Sequence, residues 1–382
     1  MKIAPQGLTN DKNTKQLLAV VSAAGGLGGP ARSIGALLSQ YSGELQRILI
    51  CPSGSFSARA LNHDWVDAHI PLVTSTRFHH IARILAAIQV AVWITKRRRD
   101  ILAVHANGEA ELNLVGLAVL LARVSLVVSA RDTEVKPWLR RLGPLWRRLI
   151  PHTCWIAVSS MPKEFLLDAR VASERQIHIV PNPVDLRDVV AEERVKSSYV
   201  RIGYLAGKYE RKGYYLLPDI MEEMDIELVN WLIFTREPDV GAVSKERDTW
   251  NRILEAAPGR VRVKGRQADV AAAYAECDIV LSPSLRESFG RVPLEAMANG
   301  IPVVASDIPA YRSFIGDNEC GVLFPPGDAA AAAKSLRVLV NDSELRETLG
   351  RVGVARAQAY DAQQIAERVR GLYENCEQTS AN

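Results

Sequence analysis

Glu287 and Glu295 stand eight residues apart in SPSLRESFGRVPLEAMANGIPVVASDIP, residues 282–309. The pattern predicts a strand ending at Ser282-Pro283, a loop carrying Glu287, and a helix from about Gly290 that stops before Gly300, a favourable residue just past a helix end. Pro293 falls in the first turn of that helix, where a missing amide costs little. The amides of Gly290, Arg291 and Val292 are then unpaired donors at the positive end of a helix, suited to a diphosphate. One carboxylate precedes the turn and the other sits deeper in the helix, so both can face one bound ligand. A Glu pair alone reads as helix surface; the turn between them is what points to chemistry.

A second candidate segment is YLAGKYERKGYYLLPDIM, residues 204–221, which places Lys208 and Lys212 ahead of a helix. Two ammonium groups beside a developing diphosphate leaving group stabilise its charge; a basic surface turn is the alternative. A third is the run Gly25, Gly26, Gly28 and Gly29, just before a helix that starts near Pro30. Glycines there let backbone approach a ligand, and free amides at a helix start attract anions. The spacing is not G-x-G-x-x-G, and Cys51-Pro52-Ser53 rather than an acid follows the second strand, which argues against a nicotinamide dinucleotide. The alternative is a tight turn without ligand contact. His105 ends a strand and opens HANGEAELN; Arg131 opens RDTE at the end of the next. Both are catalytic candidates. His105 reads equally as a hydrogen-bonded core residue, and Arg131 binds an anionic acceptor or a sugar, or pairs locally with Asp132 or Glu134. No D-x-D triplet occurs, so lysines and helix amides, rather than a metal, are expected to hold a diphosphate.

These residues need elements to carry them. Apolar runs recur at residues 16–22, 46–51, 101–105, 125–130, 154–159 and 177–181, then at 201–206, 228–234, 260–264, 278–283, 302–306 and 321–325. Amphipathic stretches separate them, and uninterrupted runs of this kind suit strands buried on both faces of a parallel sheet. The rhythm predicts a doubly wound α/β fold twice over, dividing near Pro181–Asp185 and the charged stretch that follows. In such sheets ligands sit beyond the carboxyl ends of the strands, where all the candidates above fall.

A chain of 382 residues has length for two ordinary domains, and 48% hydrophobic with 24% charged residues excludes disordered, collagen-like and coiled-coil classes. The polar start and the short apolar run at Leu17 predict neither a signal peptide nor a membrane span. Five scattered cysteines without a C-x-x-C pair argue against disulfides or zinc, and suit a reducing cytosol. Residues 1–185 hold 22 Lys and Arg against 13 Asp and Glu, while residues 186–382 hold 25 against 30. The basic half points to an anionic partner.

The segment 282–309, with its Glu-x7-Glu pattern, resembles the donor-site signature of retaining GT-B glycosyltransferases of the family-4 type (glycosyl transferases group 1). GGLGG at Gly25, Val104-His105, AVSSMPKEFLL at Ala157, PNPVD at Pro181, KYERKG at Lys208 and GVLFPPGD at Gly321 agree in order and spacing, so the resemblance covers nearly the whole chain. It implies an α/β, GT-B architecture: two Rossmann-like doubly wound parallel-sheet domains facing a central cleft. After a polar tail, residues 1–15, an acceptor-side domain spans 16–185 and a donor domain 186–382, with the last helix either staying there or crossing back. The implied activity is transfer of a sugar from a UDP- or GDP-linked donor to a glycan or lipid-linked acceptor, in cell-surface polysaccharide biosynthesis, with retention and without cofactor or metal. Glu287 then contacts donor sugar hydroxyls and Glu295 the ribose. The implied donor-side set is Lys208, Lys212, Gly265, Ser288, Phe289, Gly290, Arg291, Val292 and Glu295; the catalytic set is Glu287, Lys212, Arg131 and His105. Two positions depart from the family pattern: Lys208 stands where Arg is usual, and Arg131 where many relatives have a sugar-contacting His. A UDP-sugar 2-epimerase on the same fold and a non-catalytic binding partner are the rival readings.

Two basic amphipathic stretches account for much of the positive charge. They are residues 79–99 and Lys136–Pro151, the second interleaving Trp138, Leu142, Leu145, Trp146 and Leu149 with Arg140, Arg141, Arg147 and Arg148. Such helices lie in an anionic membrane interface or pack on a sheet with their arginines in water. The first reading implies peripheral attachment to the inner face of the cell membrane. No nucleic-acid-binding module is present.

Overall fold

In the computed structural model, which describes residues 16–376 apart from 24, 27, 75–78, 135, 187–197, 225–227, 240, 242 and 266–269, the apolar runs become parallel strands. The polar start and most of the charged stretch after Asp185 thus lie outside the described residues. The chain divides into two compact units, one running to Pro183 and resuming at Ala362, the other Val184–Asp361. The last helix therefore belongs to the first unit, and the second unit ends at Asp361 rather than at residue 382.

The first unit holds a seven-stranded sheet in the order β3-β2-β1-β4-β5-β6-β7, every pairing parallel. Its strands are β1 (Leu17–Val21), β2 (Gln46–Cys51), β3 (Ala68–Pro71), β4 (Ile101–Ala106), β5 (Leu126–Ala130), β6 (Thr153–Ala157) and β7 (Ile177–Ile179). Its helices are α1 (Gly29–Ser39), α2 (Ser55–Asn62), α3 (His79–Arg97), α4 (Leu112–Ala122), α5 (Pro137–Leu149) and α6 (Ser160–Asp168). Leu17, Ala19 and Val21 of β1 face one core with Val90 and Ile94 of α3 and Val115 of α4, while Leu18 and Val20 face the other with Ile34 and Leu38 of α1. A strand whose two faces are both apolar has no polar side to leave in water, which is why its sequence shows no alternation.

The second unit holds a six-stranded parallel sheet in the order β10-β9-β8-β11-β12-β13. Its strands are β8 (Val200–Tyr204), β9 (Val229–Ile233), β10 (Val261–Val263), β11 (Ile279–Ser282), β12 (Val303–Ser306) and β13 (Val322–Phe324). Helices α7 (Leu217–Met224), α8 (Ser244–Ala256), α9 (Val270–Ala275), α10 (Arg291–Ala298), α11 (Pro309–Ile315), α12 (Ala329–Asn341) and α13 (Ser343–Ala357) connect and cover it. The chain then enters α14 (Ala362–Asn375), whose Ile365, Ala366, Val369 and Tyr373 join the core of the first unit. In each sheet the strand order reverses once, between β1 and β4 and between β8 and β11. Loops leaving the carboxyl ends of strands at such a reversal diverge to opposite faces and open a crevice between them.

Candidate active site

In the second unit the reversal brings together residues 75 positions apart. Lys212 closes a short 3-10 turn, Glu210–Lys212, in the loop after β8, and Glu287 sits in the loop after β11. The Lys212 ammonium donates directly to Glu287 Oε1. Two backbone features force the meeting. Leu285 N–H donates to the Arg211 carbonyl at 2.9 Å, and Gly213, with φ +70°, lies so close to the other loop that a Cβ there would stand 1.9 Å from the Pro283 carbonyl oxygen. Only glycine has both that conformation and that clearance.

Glu287 is 5% exposed, so its carboxylate must be hydrogen-bonded or paired. Besides Lys212 it accepts from Ser284 Oγ at 3.1 Å, and Ser284 in turn accepts from the Tyr311 hydroxyl at 2.9 Å. Burial, with the Glu287 charge beside it, pushes the Tyr311 hydroxyl far above its ordinary range, so it stays a donor. The half-exposed Arg211 guanidinium lies 3.8 Å from the other Glu287 oxygen. Tyr311 also occupies the space a Cβ would need on Gly290, 2.1 Å away, and Gly290 itself has φ +96° as the residue capping α10. Ser284 and Tyr311 were not singled out from the sequence. SPSLRES and DIPAYR carry no pattern that pairs them, because they meet only across β11 and β12.

The remaining residues expected on the donor side fall into three groups. Gly290, Arg291 and Val292 form the start of α10 as expected, and Arg291 binds Glu295 Oε1 through Nε at 2.9 Å and Nη2 at 2.5 Å. The Tyr274 hydroxyl donates to Glu295 Oε2 at 3.0 Å, so this carboxylate is held at both oxygens. Ser288 is half-buried, whereas Phe289 is buried against Phe314 and Tyr360, with ring centroids at 5.9 and 6.0 Å; its side chain anchors the loop, leaving its backbone to meet a ligand. Lys208 is not part of the Lys212–Glu287 cluster: its ammonium pairs with Glu246 of α8 at 2.5 Å. Gly265 lies beyond β10, two strands from β8, with φ +66° and open space around it.

In the first unit His105, which the sequence offers both as a catalytic candidate and as a hydrogen-bonded core residue, is buried at the end of β4. The side chain is 1% exposed, Nδ1 lies 2.6 Å from the Tyr373 hydroxyl and Nε2 2.8 Å from Ser129 Oγ. Burial, with Arg131 nearby, drives its pKa down to about 3, so it is a neutral core residue with both nitrogens engaged. Arg131 donates through Nη1 to Asn182 Oδ1 at 2.8 Å and reaches Ser129 Oγ at 3.4 Å, which ties the end of β5 to the PNPVD turn. Two buried carboxylates that sequence reading passed over organise this edge. Glu109 accepts from the N–H groups of Arg131 and Asp132 at 3.0 and 3.3 Å, and Glu111 from Ala23 N–H at 2.9 Å. The signal was present in HANGEAELN, directly beyond a strand end. Of the glycine run, Gly25 is needed for chain crossing, since a Cβ there would lie 2.9 Å from the Pro52 carbonyl oxygen; Gly26 has free space, Gly28 caps α1 and Gly29 begins it.

Known proteins resemble this chain in sequence and in fold. Residues 27–188 match Glycosyltransferase Family 4 and residues 241–356 match Glycosyl transferases group 1. The chain is 30% identical over 308 residues to a phosphatidyl-myo-inositol mannosyltransferase of Mycobacterium leprae, covering 75% of this chain and 76% of that one. It is 29% identical over 186 residues to the lipopolysaccharide core biosynthesis glycosyltransferase LpsE of Rhizobium meliloti, covering 47% of this chain and 52% of the relative. Anabaena HepE, solved in complex with UDP and glucose, superposes with a TM-score of 0.76 at 18% identity, over 93% of this chain and 98% of that one. A glycosyltransferase from Rickettsia africae superposes with a TM-score of 0.78 at 17% identity, over 95% and 99%. The solved structures show the GT-B fold, and the sequence relatives carry the assignment further: the chain belongs to the glycosyl transferases group 1, with a Glycosyltransferase Family 4 domain before it, and is a glycosyltransferase.

Proposed function

We propose that this enzyme moves a sugar from a UDP- or GDP-linked donor to a glycan or lipid-linked acceptor, with retention at the anomeric carbon, as a step in cell-surface polysaccharide biosynthesis. The observation that carries the reading is the Lys212–Glu287 pair at the reversal of the second sheet, its carboxylate buried, in the loop that leads into the start of α10. A carboxylate accepts hydrogen bonds from sugar hydroxyls; an adjacent ammonium and a helix start stabilise the charge that collects on a departing diphosphate. The bond from the anomeric carbon to the diphosphate oxygen breaks, the acceptor oxygen bonds the same face, and its proton passes to the leaving phosphate oxygen. Glu295 has the ribose as its partner. The lack of a D-x-D triplet supports a diphosphate held without metal. UDP in the HepE complex supports a nucleoside-diphosphate donor, and the name of the mannosyltransferase relative supports a phospholipid-like acceptor.

Steady-state kinetics and calorimetric donor binding test the roles. A charge-assisted hydrogen bond contributes about 1.5–3 kcal/mol, and one that strengthens in the transition state appears in turnover. Glu287→Gln should lower kcat by about 10–100-fold with a smaller loss of donor affinity, while Glu295→Gln should mainly weaken donor binding. Activity should survive a strong chelator, and NMR of the product should show retained anomeric configuration. Near-normal turnover of Glu287→Gln removes it from the chemistry, an inverted product overturns retention, and chelator-sensitive activity restored by magnesium or manganese overturns the metal-free diphosphate site.

A further inference from the structure

Helix α14 lies against β4 and β5 of the first sheet and presents one face to it. Ile365, Val369, Tyr373 and Cys376 recur at helical spacing and are buried in the core that also holds Cys154 and Ile156 of β6. Polar contacts hold the rest of the helix: the Tyr41 hydroxyl donates to the Ala366 carbonyl, Arg368 donates to the Ile179 carbonyl at 3.0 Å, and Arg370 pairs with Glu44. The last anchor is a thiol. Cys376, directly after the final residue of α14, donates through Sγ to the His152 carbonyl at 3.1 Å and lies 3.4 Å from the Leu126 carbonyl oxygen.

Those two carbonyls fix the position of the sulfur. Leu126 opens β5 and pairs with Thr153, and Val127 pairs with Cys154, so Cys376 sits at the amino edge of β5 and β6, beside the strand position of Cys154. Alternation along β6 turns Trp155 and Ala157 towards the other core and leaves Cys154 on the α14 side. The two thiols are hydrogen-bonded to each other, and that contact together with burial pushes the Cys376 thiol far above its ordinary range. Both residues are free thiols and only 1% exposed. Cys51 ends β2 at the opposite edge of this sheet, and Cys277 and Cys320 belong to the second unit. The fold has thus set side by side two cysteines that lie far apart in the sequence.

We propose that Cys154 and Cys376 are a site of reversible disulfide formation, in which exchange with a low-molecular-weight disulfide such as glutathione disulfide bonds β6 to the end of α14 and latches that helix onto the first unit. The Cys376 thiolate attacks one sulfur of glutathione disulfide, and one glutathione thiolate leaves. The Cys154 thiolate then attacks Cys376 Sγ in the mixed disulfide, and the second glutathione leaves. The two protons lost by the protein thiols are taken up by the two glutathione thiolates; the protein sulfurs are oxidised as glutathione disulfide is reduced. A protonated, sheltered thiol is a poor nucleophile, so the docked helix protects the pair, and exchange starts when the last turn of α14 opens, as helix ends do. A reducing surrounding keeps the latch open and an oxidising one closes it. The bond closes a loop that contains the whole second unit, a constraint on the unfolded chain that grows with loop length.

Incubation of the full chain in glutathione buffers of increasing oxidised fraction, quenched by alkylation and read by intact mass and non-reducing peptide mapping, tests this. The oxidised wild type should lose two hydrogens in mass and yield one disulfide-linked pair of peptides, carrying Cys154 and Cys376. It should melt at least about 5 °C above the reduced protein, a shift that dithiothreitol removes. Cys154→Ser should stop at the mixed disulfide, gaining one glutathione at Cys376, and Cys376→Ser should form no link; neither should show the oxidant-dependent rise in melting temperature. Each protein is compared with its own reduced form, so a variant that is less stable from the outset still reports on the bond. A fully reduced wild type in the most oxidised buffer, glutathione adducts without ring closure, a link between other cysteines or between two chains, or a Cys154–Cys376 bond without a melting shift would each overturn the proposal.

Discussion

Glu109 shows how one buried carboxyl sets a pH dependence. Burial pushes it up to about 7, helped by Asp132, while the amides of Arg131 and Asp132 hold it down. Its folded-state value exceeds its unfolded one, so the stability it contributes is complete below about pH 4.5 and is lost as pH rises through about 7. Each tenfold change in proton affinity corresponds to about 1.4 kcal/mol. Glu109→Gln keeps an oxygen for the two amides and cannot ionise, so relative to wild type it should gain about 2–3 kcal/mol between pH 5 and pH 8. His105 contributes with the opposite sign, present above about 6.5 and lost as pH falls towards 3, but it cancels in the difference between variant and wild type. Urea denaturation of both proteins at the two pH values checks it; a pH-independent difference means the carboxyl is not raised.

The loops that meet at the β8–β11 reversal depend on glycine more than on their charged residues. Gly213 and Gly265 both have positive φ, +70° and +66°, but only Gly213 has backbone where a Cβ would go. Gly265→Ala should cost about 1–2 kcal/mol for the left-handed conformation alone. Gly213→Ala adds a clash with the Pro283 carbonyl that a backbone cannot relieve without moving, so it should cost more and part Lys212 from Glu287. Denaturant midpoints give the first comparison and kcat the second. A Gly213→Ala protein with unchanged turnover would show that the pairing does not need this turn. Among the described residues, twelve of the thirteen strands were legible as apolar runs, because buried parallel strands must be apolar on both faces. The exception, β3, is the four-residue edge strand AHIP, too short and too polar to stand out.

Across the molecule, the return of the chain to its first unit makes α14 a structural member of that unit's core. Ile365, Val369 and Tyr373 are buried there, the Tyr41 hydroxyl donates to the Ala366 carbonyl at 2.7 Å, and Tyr373 holds His105. Burial of each large apolar side chain is worth about 1.5–3 kcal/mol, so removing the three approaches the 5–15 kcal/mol by which a domain is stable. Truncation after Asp361 should therefore unfold the first unit at ordinary temperature while the second, Val184–Asp361, keeps its core. Calorimetry and limited proteolysis should show loss of one transition with protection confined to residues 184–361; a wild-type melting profile after truncation would rule this out.

From the sequence alone came the α/β class, the two parallel sheets, the helix at Gly290 and the choice of Glu287 and Lys212, because period, turn residues and charge are local properties written in consecutive residues. What tertiary structure alone decided was which of these residues touch. Lys212 reaches Glu287 because the strand order reverses between β8 and β11, Lys208 is drawn instead to Glu246, and His105 is sealed between Tyr373 and Ser129. Which side of α3 is buried was equally undecided by its own pattern, since Ile81, Ile84, Ile88 and Val92 stay exposed while Val90 and Ile94 are buried, a choice made only where the sheet and α4 pack against it.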